Sequence, residues 1–162
     1  LKGIPAIYIH SLLGTENDYE RRENLQSNRA VNRHIWNYPD LCEKLASPDD
    51  HHHEVFFALC SLMDKRKQQP AFHPDAGQIS FNINRNVVAF QRGSNEETNA
   101  PALFCIHNIT NPGVTIPQQD LPEQWQQAGV DLILEKPIHL DTGLDLAPYQ
   151  SMWIKMTATP KP

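Results

Sequence analysis

Gln78-Ile79-Ser80-Phe81-Asn82-Ile83-Asn84-Arg85-Asn86-Val87-Val88-Ala89-Phe90-Gln91 is the stretch at which the chain changes period. Residues 78–83 and 86–91 read as alternating segments across a tight Asn84-Arg85 connection, which predicts a β-hairpin. Further strands are expected at residues 102–109, 114–116, 130–134, 143–146 and 151–156, with Pro and Gly punctuating the gaps. Short strands separated by turn signals predict an antiparallel sandwich. The back of the chain, residues 71–162, is therefore expected to be a small all-β domain.

Upstream of Pro70 the pattern differs. Val55, Leu59, Leu62 and Met63 share one helical face, and Lys65-Arg66-Lys67 suits the negative end of that helix. Gln68-Gln69-Pro70 stops it. A shorter helix is expected at residues 41–45, with Asp40 as its N-cap. Residues 14–36 are polar, carry no sustained period, and read as a long irregular loop, which in a compact domain points to function. Before it, Gly3-Ile4-Pro5-Ala6-Ile7-Tyr8-Ile9-His10 is apolar nearly throughout. Such a run predicts a strand covered on both faces, as in a parallel sheet flanked by helices. Nothing else in the chain supplies the strand–helix repeats that such a sheet needs. A lone strand at residues 6–9, open on both edges, would lead to self-association, a partner chain or disorder.

The composition limits the function classes. The 162 residues include 14 basic and 19 acidic ones, for a net charge of −5, without a basic block. A phosphate-tracking nucleic-acid surface is not expected. The longest apolar runs are too short to cross a bilayer. Three widely spaced cysteines, Cys42, Cys60 and Cys105, read as free thiols of a reducing cytoplasm. The chain opens on Leu1 without a signal-peptide pattern, so it is expected to be a piece of something longer.

Few residues carry an obvious chemistry. In His51-His52-His53-Glu54, three consecutive imidazoles point in three directions along a helix, whereas a helical zinc site places two His four apart. This run reads as an exposed polar helix start, and neither a metal nor a cofactor is expected. No nucleophile elbow, phosphate loop or paired-cysteine motif occurs. Cys60 and Cys105 read as small buried hydrophobes, and Trp125 and Trp153 as core aromatics rather than sugar platforms. The polar loop is more informative. Asn28-Arg29-Ala30-Val31-Asn32-Arg33-His34 sets two guanidiniums and an imidazole just after the apolar run. Arg33, flanked by Val31 and Ile35, is poorly explained as a solvated charge, and its planar fork suits bidentate bonding to a carboxylate or to neighbouring hydroxyls.

Several of these segments resemble a known family. Gly3-Ile4-Pro5-Ala6-Ile7-Tyr8 resembles the eighth barrel strand of the α-amylase superfamily, glycoside hydrolase family 13. His10-Ser11-Leu12-Leu13-Gly14-Thr15-Glu16-Asn17-Asp18-Tyr19-Glu20, with Arg29-Ala30-Val31-Asn32-Arg33-His34, is similar to its sucrose phosphorylase group, which includes glucosylglycerate phosphorylases. Arg66-Lys67-Gln68-Gln69-Pro70-Ala71-Phe72-His73-Pro74 resembles the end of the last barrel helix. Leu146-Ala147-Pro148-Tyr149-Gln150-Ser151-Met152-Trp153 resembles the closing strand of the C-terminal domain.

The resemblance implies an α+β piece: residues 1–70 as the last strand, active-site loop and helix of a (β/α)8 barrel, and residues 71–162 as the antiparallel sandwich. A barrel alone takes about 250 residues. The family's nucleophilic Asp, acid/base Glu and stabilising Asp would then lie upstream of Leu1, so no catalytic residue is expected in this chain and the chain alone is expected to be inactive. The resemblance further implies a retaining reaction on sucrose or a related α-glucoside with inorganic phosphate. It assigns Arg33, with Asn32 and His34, to substrate binding, Arg33 pairing with an Asp near the start of the barrel. Two alternatives stand beside this: a non-catalytic sugar-binding or assembly sandwich, and a hydrolase or transglucosylase of the same superfamily.

Overall fold

A computed structural model describes residues 1–93 and 101–157, so part of the span 71–162 lies outside the described residues. The chain divides into two compact units, residues 5–64, and residues 65–162 together with 1–4. The division expected after Pro70 thus falls earlier, inside a helix.

The smaller unit is helical. It contains α1 (Ile9–Leu12), α2 (Tyr19–Leu25), α3 (Tyr38–Ala46) and most of α4 (His51–Lys67). The strand expected at residues 3–10 does not form: residues 4–8 join no ladder, and Ile4 is 84% exposed. A strand is held by the backbone groups of a neighbouring strand, and residues 5–64 contain none. Nor are residues 14–36 irregular throughout. Asp18 Oδ1 accepts a bond from Arg21 N at 2.8 Å and starts α2, and Gln26, in the left-handed region at φ 49°, ends it. A 3-10 turn follows at Asn28–Ala30. The expected helix at residues 41–45 is longer than its pattern, because Asn37 rather than Asp40 caps it and Pro39 sits in its first turn. At the start of α4, Asp50 Oδ1 accepts from His52 N at 2.9 Å, and Lys65, Arg66 and Lys67 close the last turn as expected. The only apolar residues of 5–64 that are buried are Leu13 and Ala30.

The larger unit is antiparallel β, which makes the whole an α+β fold dominated by its sheets. Its strands are β1 (Gln78–Phe81), β2 (Val87–Arg92), β3 (Leu103–Asn108), β4 (Val114–Ile116), β5 (Ala128–Asp131), β6 (Lys136–His139), β7 (Leu144–Leu146) and β8 (Ser151–Met156). Six form one sheet in the order β1-β2-β3-β8-β5-β6, and β4 pairs with β7 in a second. The hairpin register sets Gln78 opposite Arg92 and Phe81 opposite Ala89. β6 has no counterpart among the expected strands, because Lys136-Pro137 reads as loop; proline is tolerated in a sheet only at such an edge. β5 starts earlier than its apolar run, since Gly129 lies so close to β8 that a Cβ there would sit 2.8 Å from Lys155 O.

The core follows from the alternation of side chains along β3. Phe104 and Ile106 face Val87, Met152, Ile154, Ile116, Leu144, Leu146 and Trp125, joining the two sheets. Leu103 and Cys105 face Ala71, Phe72 and Phe90. Each fully buried Leu, Ile or Phe contributes about 1.5–3 kcal/mol. Trp125 is a core residue as expected, stacked on Phe104 at 5.2 Å, and Trp153 packs on Phe72 at 4.8 Å. Cys105 is wholly buried, whereas Cys60 is half-buried and Cys42 exposed. On the second face Arg92, fully buried, donates to His73 O at 2.6 Å and to Ala76 O at 3.0 Å, and so fixes the segment leading into β1. Asp131 does the same for the β5–β8 side, its Oδ1 accepting from Ile133 N and Trp153 N, each at 3.1 Å.

Candidate functional site

The loop residues 14–36 of the smaller unit are organised around two side chains. Thr15 Oγ1 accepts from Trp36 Nε1 at 3.0 Å and lies 3.3 Å from His10 Nδ1. Asp18 divides its carboxylate: one oxygen caps α2, and Oδ2 lies 2.8 Å from His34 Nδ1. The Arg21 amide, and then His34, hold the Asp18 carboxyl below the usual aspartate range. The chain direction at this point depends on Gly14, at φ +63°, where a Cβ would also come within 3.2 Å of Val55.

A continuous series of rings follows. His34 meets Trp36 edge-on at 4.7 Å, Trp36 meets His52 at 4.9 Å, and His52 lies beside His51 at 3.8 Å between centroids. These side chains line an open cleft of about 570 Å³ together with Thr15, Glu16, Asp18 and Lys44. With His34 Nδ1 turned to the carboxylate, its Nε2 is left for a ligand. Carboxylate, imidazole and hydroxyl groups beside an indole suit a small hydroxyl-rich molecule.

The three residues assigned to binding are consecutive but do not converge. His34 lines this cleft. Asn32 lines a smaller one of about 190 Å³ with Tyr8, His10 and Thr15, and its carbonyl accepts from Tyr8 Oη at 2.8 Å. Arg33 is exposed, and its side chain makes no hydrogen bond or ion pair among the described residues. Asp18, Thr15 and Trp36 have no role assigned to them from sequence, and His52 reads there only as part of an exposed helix start. Asp18 carried a usable signal, since an Asp before a run of helix formers is an N-cap pattern. The His run is corrected too: His52 is only 5% exposed, its Nδ1 donating to Leu13 O at 2.7 Å, so this helix start is not wholly solvated.

Of the protein-family models, none matches this chain. It is 35% identical over 153 residues to the glucosylglycerate phosphorylase of Escherichia coli strain K12, a match covering 94% of this chain and 26% of that protein. A glucosylglycerate phosphorylase of Allomeiothermus silvanus is 33% identical over 154 residues, covering 95% of this chain and 24% of that protein. The chain therefore spans about a quarter of the length of these relatives. A variant of AmyP in complex with maltotriose shares the fold at a TM-score of 0.53 and 19% identity, over 70% of this chain and 22% of the other. A variant of the trehalulose synthase MutB in complex with Tris does so at 0.50 and 18% identity, over 72% and 20%. The chain thus has the sequence and the fold of a C-terminal portion of the sucrose phosphorylase-like group of glycoside hydrolase family 13, the α-amylase superfamily.

Proposed function

We propose that the chain is part of a retaining glucoside phosphorylase that uses inorganic phosphate to split sucrose, glucosylglycerate or a related α-glucoside. The observation that carries this reading is the likeness to two glucosylglycerate phosphorylases over 94% and 95% of the chain. In such an enzyme a carboxylate attacks the anomeric carbon and expels the acceptor, and phosphate then takes the glucosyl group as a sugar phosphate. Those carboxylates belong to polypeptide outside this chain. In the whole enzyme, where neighbouring barrel strands would be there to pair with it, residues 1–70 supply the last barrel strand, its loop and helix, and residues 71–162 the accessory domain. Arg33 pairs with an Asp of the missing barrel at the closed end of the glucose pocket, with Asn32 and His34 on the same wall.

Burial supports this division of labour. Ile7, Tyr8, Ile9, Ile35, Tyr38 and Phe57 are all exposed large apolar side chains in a unit that buries almost none of its own. Exposed apolar side chains gathered in one small unit are the mark of a surface that further polypeptide covers. An exposed Arg33 beside that surface finds its acceptor when the surface is covered. Three free thiols fit a reducing compartment, and the proposed location is cytoplasmic.

The test is phosphorolysis by the whole protein that carries this chain. Release of α-glucose 1-phosphate from glucosylglycerate or sucrose, dependent on phosphate, is expected. Arg33→Ala would lose at least about a hundredfold in kcat/KM, and Arg33→Lys would not restore it, because a point charge lacks the fork. Hydrolysis without phosphate dependence, or an Arg33→Ala enzyme of normal kcat/KM, overturns the reading.

A further inference from the structure

We propose that Asp50, His51 and His52 form a binding site for a divalent transition-metal ion of the zinc class. Consecutive helical residues ordinarily diverge, but here two consecutive carbonyls gather them. His52 Nδ1 donates to Leu13 O at 2.7 Å, and His51 Nε2 donates to Gly14 O at 3.1 Å. The imidazoles are thereby drawn side by side, 3.8 Å between centroids. One ligand atom from each of Asp50, His51 and His52 lies within 4.8 Å of the other two.

The hydrogen bonds also set the tautomers. With one N–H of each ring given to a carbonyl, the lone pairs fall on Nε2 of His52 and Nδ1 of His51. An imidazole whose other nitrogen donates to a backbone carbonyl is the usual outer support of a metal-bound histidine. His51 Nδ1 already lies 3.8 Å from Asp50 Oδ1. Asp50 Oδ1 accepts from the His52 amide at 2.9 Å, and its Oδ2 lies 3.3 Å from Lys44 Nζ. The same cleft carries Glu16, Asp18 and Glu20 against the single Lys44, a balance that favours a cation. Two imidazoles and a carboxylate, with an open cleft in front, leave a coordination position for water, and this donor set suits Zn²⁺, Co²⁺ or Ni²⁺ over Mg²⁺ or Ca²⁺. Metal binding here is independent of the phosphorylase reading.

The experiment is isothermal titration of Zn²⁺ and of Mg²⁺ into the untagged chain carrying Cys42→Ser, since an exposed thiol is itself a zinc ligand. One Zn²⁺ per chain at micromolar concentration is expected, with no Mg²⁺ heat. His51→Gln, at an exposed position, should weaken Zn²⁺ at least about tenfold. His53→Gln, at a ring outside the group of three ligand atoms, should bind within about twofold of the parent, circular dichroism confirming that both variants are helical. The proposal is overturned by an absence of saturable binding below about 1 mM, by equal effects of the two substitutions, or by loss through His53 alone.

Discussion

Replacing Gly143 by alanine tests how closely β4 and β7 approach. Gly143 has φ +101°, and a Cβ there would lie 2.7 Å from Ile116 O, 3.3 Å from Gln118 N and 3.5 Å from Pro117 Cα. All three are backbone atoms, so no rotamer change relieves the contact. The dihedral alone costs about 1–3 kcal/mol for a side chain that rarely adopts it. Forcing the small sheet apart adds about 1–3 kcal/mol. The stiffer unfolded chain returns about 0.4–1 kcal/mol, for a net loss of about 1–6 kcal/mol out of a typical domain stability of about 5–15. Gly129→Ala separates the two effects. Its Cβ would meet Lys155 O at 2.8 Å without a left-handed dihedral, so about 1–3 kcal/mol is expected. Urea unfolding followed by tryptophan fluorescence reads both, in a Trp36→Phe background that leaves Trp125 and Trp153 as reporters of the β unit. A Gly143→Ala loss below about 0.5 kcal/mol, or one smaller than that of Gly129→Ala, would refute the close approach.

The depressed Asp18 carboxyl contributes stability that is complete above its unfolded value and is lost as pH falls through the lower folded one. Thermal melts followed by far-ultraviolet circular dichroism, which reads the helices, should weaken below about pH 4; in Asp18→Asn that acid limb should flatten, and an unchanged limb would refute the contribution of the ionised Asp18 carboxylate. Burial pushes the Cys105 thiol up to about 12, so a disulfide reagent at pH 8 should label Cys42 in the native chain and leave Cys105 until urea is added; native labelling of both at one rate counts against the core assignment. Asp131→Ala strands the amides of Ile133 and Trp153 and should cost about 1–3 kcal/mol, whereas Asp131→Asn keeps the accepting oxygen and should cost under about 1. Equal losses in the two would mean that the oxygen does not pin these strands.

The β half was legible because its signals are local. The β1–β2 hairpin and the largely apolar β3 appear near where period and composition put them, since β1, β2 and β3 are neighbours both in the sequence and in the sheet. The connection runs through residues 82–86, with its turn at Arg85-Asn86 and not at the tight Asn84-Arg85 expected. β6 escaped because Pro137 and Lys136, the residues that finish a sheet edge, carry the same letters as a loop. The front half failed for the opposite reason. Residues 3–10 have a strand's composition, but strand formation needs a neighbour, and residues 5–64 contain none. In the candidate site, His34 was visible as a polar residue beside an apolar run. Its partner Asp18, sixteen positions away, and the convergence of His51 and His52 depend on the path of the backbone through Gly14, which no residue pattern states.

Pro137 has one more effect on this sheet. A proline has no amide hydrogen to offer an incoming chain, and the neighbouring Lys136 adds a charge that any newcomer would have to desolvate. The β6 margin is thus sealed against templated growth. At the opposite margin, β1 presents Gln78-Ile79-Ser80-Phe81 with neither device, and Ile79 is half exposed. Fibrillar or domain-swapped by-products of this chain therefore have a polarity: they can nucleate at one rim and terminate at the other.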